Sequence, residues 1–338
     1  MRSASGSGVS AIVLAVGLCL AVVPALAQGW RDGMPMTTAR AFAGAALIGD
    51  DLYVVGGDST SGPRSVAEIY DVRGNIWRAA VALPVGLQHF GMAELNGRLF
   101  VAGGHEAPPP RRADGMFGSD GASAADAKTD GGDTDNVWIF DPKVGTWISG
   151  PSMPAARAGH GLVAVDGKLY AIGGRGEGAS RVFVYDPGRD RWSVSGSPMP
   201  SPRVASAYVA AGGLVYAIGG LDSGGAASSR VDIFNPSNGS WRTGPSLPEP
   251  RAGHVAAVLD GKLHVTGGEQ RRPLRTHADH FVLDLAAGTW RRAPSMPTPR
   301  HGAVAAASDG RFIVVGGSPG AGVYTVFTES DMVDIYSE

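Results

Sequence analysis

Six residues in this chain directly follow the glycine pair that closes a recurring apolar phrase of the type "LYAIGG": Asp58, His105, Arg175, Leu221, Glu269 and Ser318. They share a position and differ in type, so whatever they do is not a property of the common pattern. Four are ionisable, and Asp58, His105 and Arg175 are candidates for holding a polar ligand. Glu269 opens the stretch "GGEQRRPLRT", beside Arg271, Arg272 and Arg275. A carboxyl there is either lifted in pKa by partial burial, and so able to move a proton, or a partner in a surface ion pair. A second set recurs with one member per repeat: Arg40, Arg157, Arg203, Arg251 and Arg300, with Gln88 in the sixth place. Five guanidinium groups around one rim can clamp a carboxylate through bidentate hydrogen bonds. Equally, each can cap carbonyls where repeating units meet. His160 and His254 each follow an arginine by three residues and share both readings.

Other chemistries find less support. The stretch "THADH" carries His277, Asp279 and His280, which can ligate metal but show no recognised ligand spacing. Asp130, Asp133 and Asp135 miss the alternating carboxylates and fixed glycine of a calcium loop. No Gly-x-Ser-x-Gly elbow, phosphate-binding glycine loop or paired-His helical zinc motif is present. No metal and no cofactor is expected.

Chemistry at those positions depends on elements that repeat. "DGKLYAIGG" (166–174) has counterparts ending at Gly57, Gly104, Gly220, Gly268 and Gly317. The tryptophans at 30, 77, 147, 192, 241 and 290 precede the first glycine of their pair by 26 residues in five cases and 27 in one. Tyr70, Phe140, Tyr185, Phe234 and Leu283 each stand seven residues before a tryptophan. Short apolar strands, two-residue "DG" and "NG" turns and units too small to bury both faces predict hairpins that stack on one another. The 51 glycines and 23 prolines agree with many strands and few helices.

Paired glycines, a following Tyr-Asp and a tryptophan soon after resemble the kelch motif, and the match runs over residues 29–338. The resemblance implies an all-β, six-bladed propeller with four antiparallel strands per blade. The last unit stops at Tyr336 before its tryptophan, whereas Trp30 stands alone at the other end. The N-terminal strand is therefore expected to complete the last blade and remove its edge. The segment opening at Glu269 also resembles one in bacterial exported kelch enzymes that mutarotate N-acetylneuraminic acid. That resemblance implies Glu269 as the proton-transfer group and Arg275 as the clamp for the substrate carboxylate. Copper radical oxidases on the same fold need a cysteine bonded to a tyrosine, and no mature cysteine is expected.

Residues 1–27 contain Arg2 as their single charge, an apolar run from Val9 to Val23 and Ala25-Leu26-Ala27, the pattern of an export signal cut after Ala27. Cys19, the one cysteine, lies inside it, so neither disulfides nor thiolate chemistry is expected. Without Arg2 the 29 basic residues become 28 against 31 acidic ones, with the signs interspersed, which argues against nucleic acid and against insertion in a membrane after cleavage. The mature chain, 28–338, reads as one propeller carrying a long inserted loop, 105–136. Loops after the second and fourth strands leave on one face, so the expected function is an exported, periplasmic or secreted, module that binds a protein or carbohydrate there. The alternative is an exported N-acetylneuraminate mutarotase.

Overall fold

A computed structural model describes residues 29–107 and 132–338. The proposed signal, 1–27, and most of the long loop lie outside the described residues. The turns set the strands. At Asp166-Gly167 both residues have positive φ, 47° and 73°, the geometry that folds Gly161–Val165 directly back onto Lys168–Ile172. Two more strands, Val182–Asp186 and Arg191–Ser195, extend the sheet outward. Blades 1 to 5 repeat this plan over 44–79, 91–150, 161–195, 207–243 and 255–293. Blade 6 takes three strands from 304–337, and its fourth is Gly29–Asp32, with Trp30 opposite Tyr336. The expected closure by the N-terminal strand is thus observed.

Two circles of hydrogen bonds hold the ring. On the perimeter the indole N–H of Trp77, Trp147, Trp192, Trp241, Trp290 and Trp30 donates to the carbonyl of Met34, Val81, Pro151, Ser197, Pro245 and Pro294 respectively, each on the preceding blade's exit. Around the axis Phe42, His89, Gly159, Ala205, Gly253 and Gly302 all adopt positive φ. The backbone N–H of each bonds the carbonyl of the residue before it in the circle, with Phe42 closing onto Gly302 at 2.7 Å. Four of these six are glycine or alanine, and the ring of Phe42 lies where a Cβ on Gly302 would stand, 2.6 Å away. Phe42 and His89 stack at 4.1 Å and narrow the axis at this level to a cavity of about 130 Å³ lined by the circle. Deeper along the first strands lies a channel cavity of about 200 Å³.

The paired glycines have a stated reason. A Cβ on the first of a pair, Gly103, would sit 2.4 Å from the carbonyl of Arg157 in the next blade, and the N–H of Gly104 donates to that same carbonyl. The pattern holds at all six junctions, with Gly57 donating to Leu87. Leu87, not Gln88, therefore occupies the sixth arginine position.

The five arginines are no clamp. Arg40, Arg157, Arg203, Arg251 and Arg300 are all 0–1% exposed, beyond reach of a ligand. Their guanidinium groups cap strand carbonyls such as Val54, Ala171, Gly219, Gly267 and Gly316. Each is matched to one residue on the third strand of its own blade. Arg40 pairs with Glu68, Arg203 with Asp232 and Arg300 with Asp334. In blades 3 and 5 an aromatic ring replaces the acid: Arg157 lies 4.1 Å over Phe183 and Arg251 4.9 Å over Phe281. Burial with no acid hydrogen-bonded to it lowers both guanidinium pKa values to about 10. In blade 2 Leu87 packs in one apolar cluster with Trp138. His160 and His254 belong to the same architecture, buried at junctions near Gly103 and Gly219.

Candidate functional site

The six residues after the glycine pairs do stand at equivalent places. Each pairs with the backbone one residue past the arginine position: Asp58 with Ala41, His105 with Gln88, Arg175 with Ala158, Leu221 with Val204, Glu269 with Ala252 and Ser318 with His301. These bridges form a collar above the axial circle, and the loops rising from it make the channel mouth.

On one side of the mouth a carboxylate gathers two of the expected residues. Asp133 accepts both Nε–H and Nη2–H of Arg175 at 2.8 Å and contacts Nδ1 of His105 at 3.0 Å. Burial opposes ionisation, yet the Arg175 and His105 contacts prevail and hold the Asp133 carboxyl below the usual range. The effect is a strap: Asp133 lies on the short strand Gly132–Asp133 of the blade 2 insertion, and Arg175 belongs to blade 3. Asp58 is half-buried, with its Oδ1 lacking a hydrogen-bond partner. Burial, assisted by Glu329, pushes its pKa up, while the Ser59 N–H, His105 and Arg64 pull against that.

Glu269 lies on the opposite side and is buried. Its Oε2 accepts the N–H of Gly322 at 2.9 Å and lies 3.8 Å from Nε2 of His301. Gly322 begins a 3₁₀ helix, Gly322–Phe327, carried over the mouth by blade 6. Arg275 goes elsewhere. Glu269–Arg271 and Leu274–Thr276 form a hairpin in which Glu269 faces Thr276 and Gln270 faces Arg275. Successive strand residues point to opposite sides, so Arg275 is on the other face from Glu269, and its Nη2 pairs with Glu249 at 3.0 Å. The structure does not bring Glu269 and Arg275 into one pocket.

Hairpin and helix pack together. The Thr276 hydroxyl donates to the carbonyl of Pro319, and the Leu274 side chain comes within 3.2 Å of a Cβ placed on Gly322. Tyr324 and Phe327, three apart in a 3₁₀ helix, share one face. They are 62% and 69% exposed, and Leu274 is 50% exposed. Arg271, cross-strand from Leu274, and Arg272 stand beside this apolar group in exposed positions. The sequence pointed here weakly, through the widest gap after a glycine pair among the units with ordinary loops. It gave no sign of Asp133 as a strap or of Glu249 as a partner of Arg275.

Residues 159–335 match the family model described as the KLHDC2/KLHL20/DRC7 Kelch-repeats domain, and residues 39–84 match the Kelch motif. The chain belongs to the kelch-repeat family. As a kelch protein it is 25% identical over 246 residues, 71% of its length, to Kelch-like protein 35 of Mus musculus. It is 32% identical over 230 residues, 65% of its length, to Kelch repeat and BTB domain-containing protein 12 of Danio rerio. It spans 37% and 28% of the length of these two relatives. Among solved structures, one titled "Structure of YjhT" superposes with a TM-score of 0.71 at 17% identity, covering 89% of this chain and 96% of that one, a likeness of fold. Among the described residues no helix is long and apolar enough to cross a membrane.

Proposed function

We propose that this kelch propeller is an exported binding module that takes a protein partner at its channel mouth. The observation that carries this is the apolar group of Leu274, Tyr324 and Phe327, presented by two loops braced against each other and flanked by the exposed Arg271 and Arg272. Exposed aromatic and aliphatic side chains on a rigid scaffold, with a basic rim, suit a protein surface offering an apolar ridge flanked by carboxylates. A carbohydrate would find less, because Asp133, Arg175 and His105 already meet one another and the Glu269 carboxylate is met by Gly322.

The experiment places a photoreactive amino acid at position 324 and, in a control, at Ile148, an exposed residue on the outer strand of blade 2. Irradiation in extract of the source cells should give one discrete adduct from 324 and none from 148. Equal labelling from both positions, or none from 324, refutes the proposal.

A second reading rests on Glu269, a buried carboxyl beside the His301 imidazole at the mouth. Sugar-acid mutarotation needs a proton-transfer group there, but Arg275 does not supply the clamp. Anomer exchange of N-acetylneuraminate followed by NMR, accelerated by the protein and abolished in Glu269→Gln, would establish it. Unchanged exchange would dismiss it.

A further inference from the structure

Glu249, His277 and Asp279 converge at the entry of blade 5, outside the mouth contacts described above. Glu249 sits two residues before Arg251, in the segment leading to the first strand of the blade. His277 and Asp279 lie between the hairpin 269–276 and the strand His280–Asp284. That segment is fixed by backbone bonds from His277 N–H to Gly268 and from Met296 N–H to the Ala278 carbonyl, at 2.8 and 2.9 Å. The side chain of His277 is 1% exposed, yet neither ring nitrogen has a hydrogen-bond partner. A buried polar group in that condition costs stability unless something else meets it.

What its Nδ1 faces is two carboxylates: Oε2 of Glu249 at 3.6 Å and Oδ2 of Asp279 at 3.8 Å, with all three donor atoms within 4.8 Å of one another. A four-coordinate zinc ion holds nitrogen and oxygen ligands at about 2.0–2.1 Å, which separates tetrahedral donors by about 3.3 Å. Small movements of three side chains therefore close this triangle around an ion. We infer that Glu249, His277 and Asp279 form a binding site for a divalent transition metal of the zinc type.

One imidazole with two carboxylates is a donor set for Zn²⁺ rather than for Ca²⁺ or Mg²⁺, which take oxygen ligands. The two carboxylates balance the charge of the ion, and a fourth position is left for water. Burial, reinforced by Arg251 and Arg275, lowers the His277 pKa to about 4, so the ring is neutral and its lone pair available at pH 7. Three arginines share the carboxylates. Arg275 contacts Glu249 at 3.0 Å, Arg292 reaches both Asp279 and Glu249, and Arg251 lies 3.9 Å from Glu249. Arg275 and Arg292 are about half exposed and free to turn toward solvent, whereas Arg251 is fixed by its carbonyl bonds. Arg292 is thus a competitor of the ion.

Titration of the full chain, free of affinity tags, with ZnCl₂ by calorimetry and with Co²⁺ by visible absorption tests the site. One ion per chain and the intense d–d bands of a tetrahedral Co²⁺ complex are expected. Glu249→Gln and His277→Gln should weaken binding by at least about 100-fold, more than the loss of an outer-shell partner. Arg292→Ala should tighten it. Since His277 is buried, Glu249→Gln, at a partly exposed side chain, is the decisive variant. Absence of binding, or binding unchanged in Glu249→Gln, overturns the inference.

Discussion

Two collars of this propeller repeat around the same axis and behave in opposite ways. The inner arginine positions are buried and nearly uniform, and they change type only together with a partner: an acid in blades 1, 4 and 6, a phenylalanine in blades 3 and 5, and Leu87 with Trp138 in blade 2. The positions after the glycine pairs share a backbone bridge but no chemistry, and their exposure runs from the buried Ser318 to the exposed Arg175. A residue that recurs with its partner is serving the blade. A residue that varies where the backbone does not is free to serve a ligand.

The largest expected effect breaks the scaffold side of this contrast. Trp30 packs on His280, Phe312 and Tyr336 and closes the perimeter circle. Trp30→Ala should lose about 3–5 kcal/mol in urea unfolding, and deletion of residues 28–34 should abolish the cooperative transition. Retained stability would mean that blade 6 does not need its fourth strand.

Arg300→Leu comes next. It strands the buried carboxylate of Asp334 and should cost about 3–5 kcal/mol. Arg157→Leu leaves only carbonyls unmet and should cost about 1–3 kcal/mol. Adding Asp334→Trp to Arg300→Leu should recover much of the loss, because blade 2 already stands on Leu87 and Trp138. An additive double variant would show that the pairing is incidental.

A smaller, pH-dependent effect involves His264 and His280, which are fully buried and in contact at 3.0 Å. Burial lowers their pKa values to about 4 and about 3, against an ordinary 6.5. The unfolded chain therefore binds protons first as pH falls. The stability these rings contribute is complete above pH about 6.5 and drains away toward pH 4, by about 3 kcal/mol for one such group. Denaturation curves between pH 7 and 4 should show this slope, and it should flatten in His264→Phe.

Much of this was legible in the sequence because the repeat is a physical unit. Constant Trp-to-glycine and aromatic-to-Trp spacings fix strand register, and the orphan Trp30 foretold the closing strand. The equivalence of Asp58, His105, Arg175 and Glu269 followed from the same count. Side-chain direction did not follow. "GGEQRRPLRT" gives no sign that it folds as a hairpin, and only that hairpin puts Glu269 and Arg275 on opposite faces. Arginine at five like positions is compatible with a rim or a core until burial decides. The contacts of Asp133 with His105 and of Glu249 with His277 each cross 28 residues, a separation no local pattern encodes.

The measurement that tests the division most directly follows melting temperature and photo-crosslink yield from position 324 in two variants, Arg300→Leu and Leu274→Asp/Phe327→Asp. The first should melt lower while its folded molecules crosslink as before. The second should melt like the parent and lose the adduct. If both properties fall together in both variants, the mouth is not a functional surface separable from the ring that carries it.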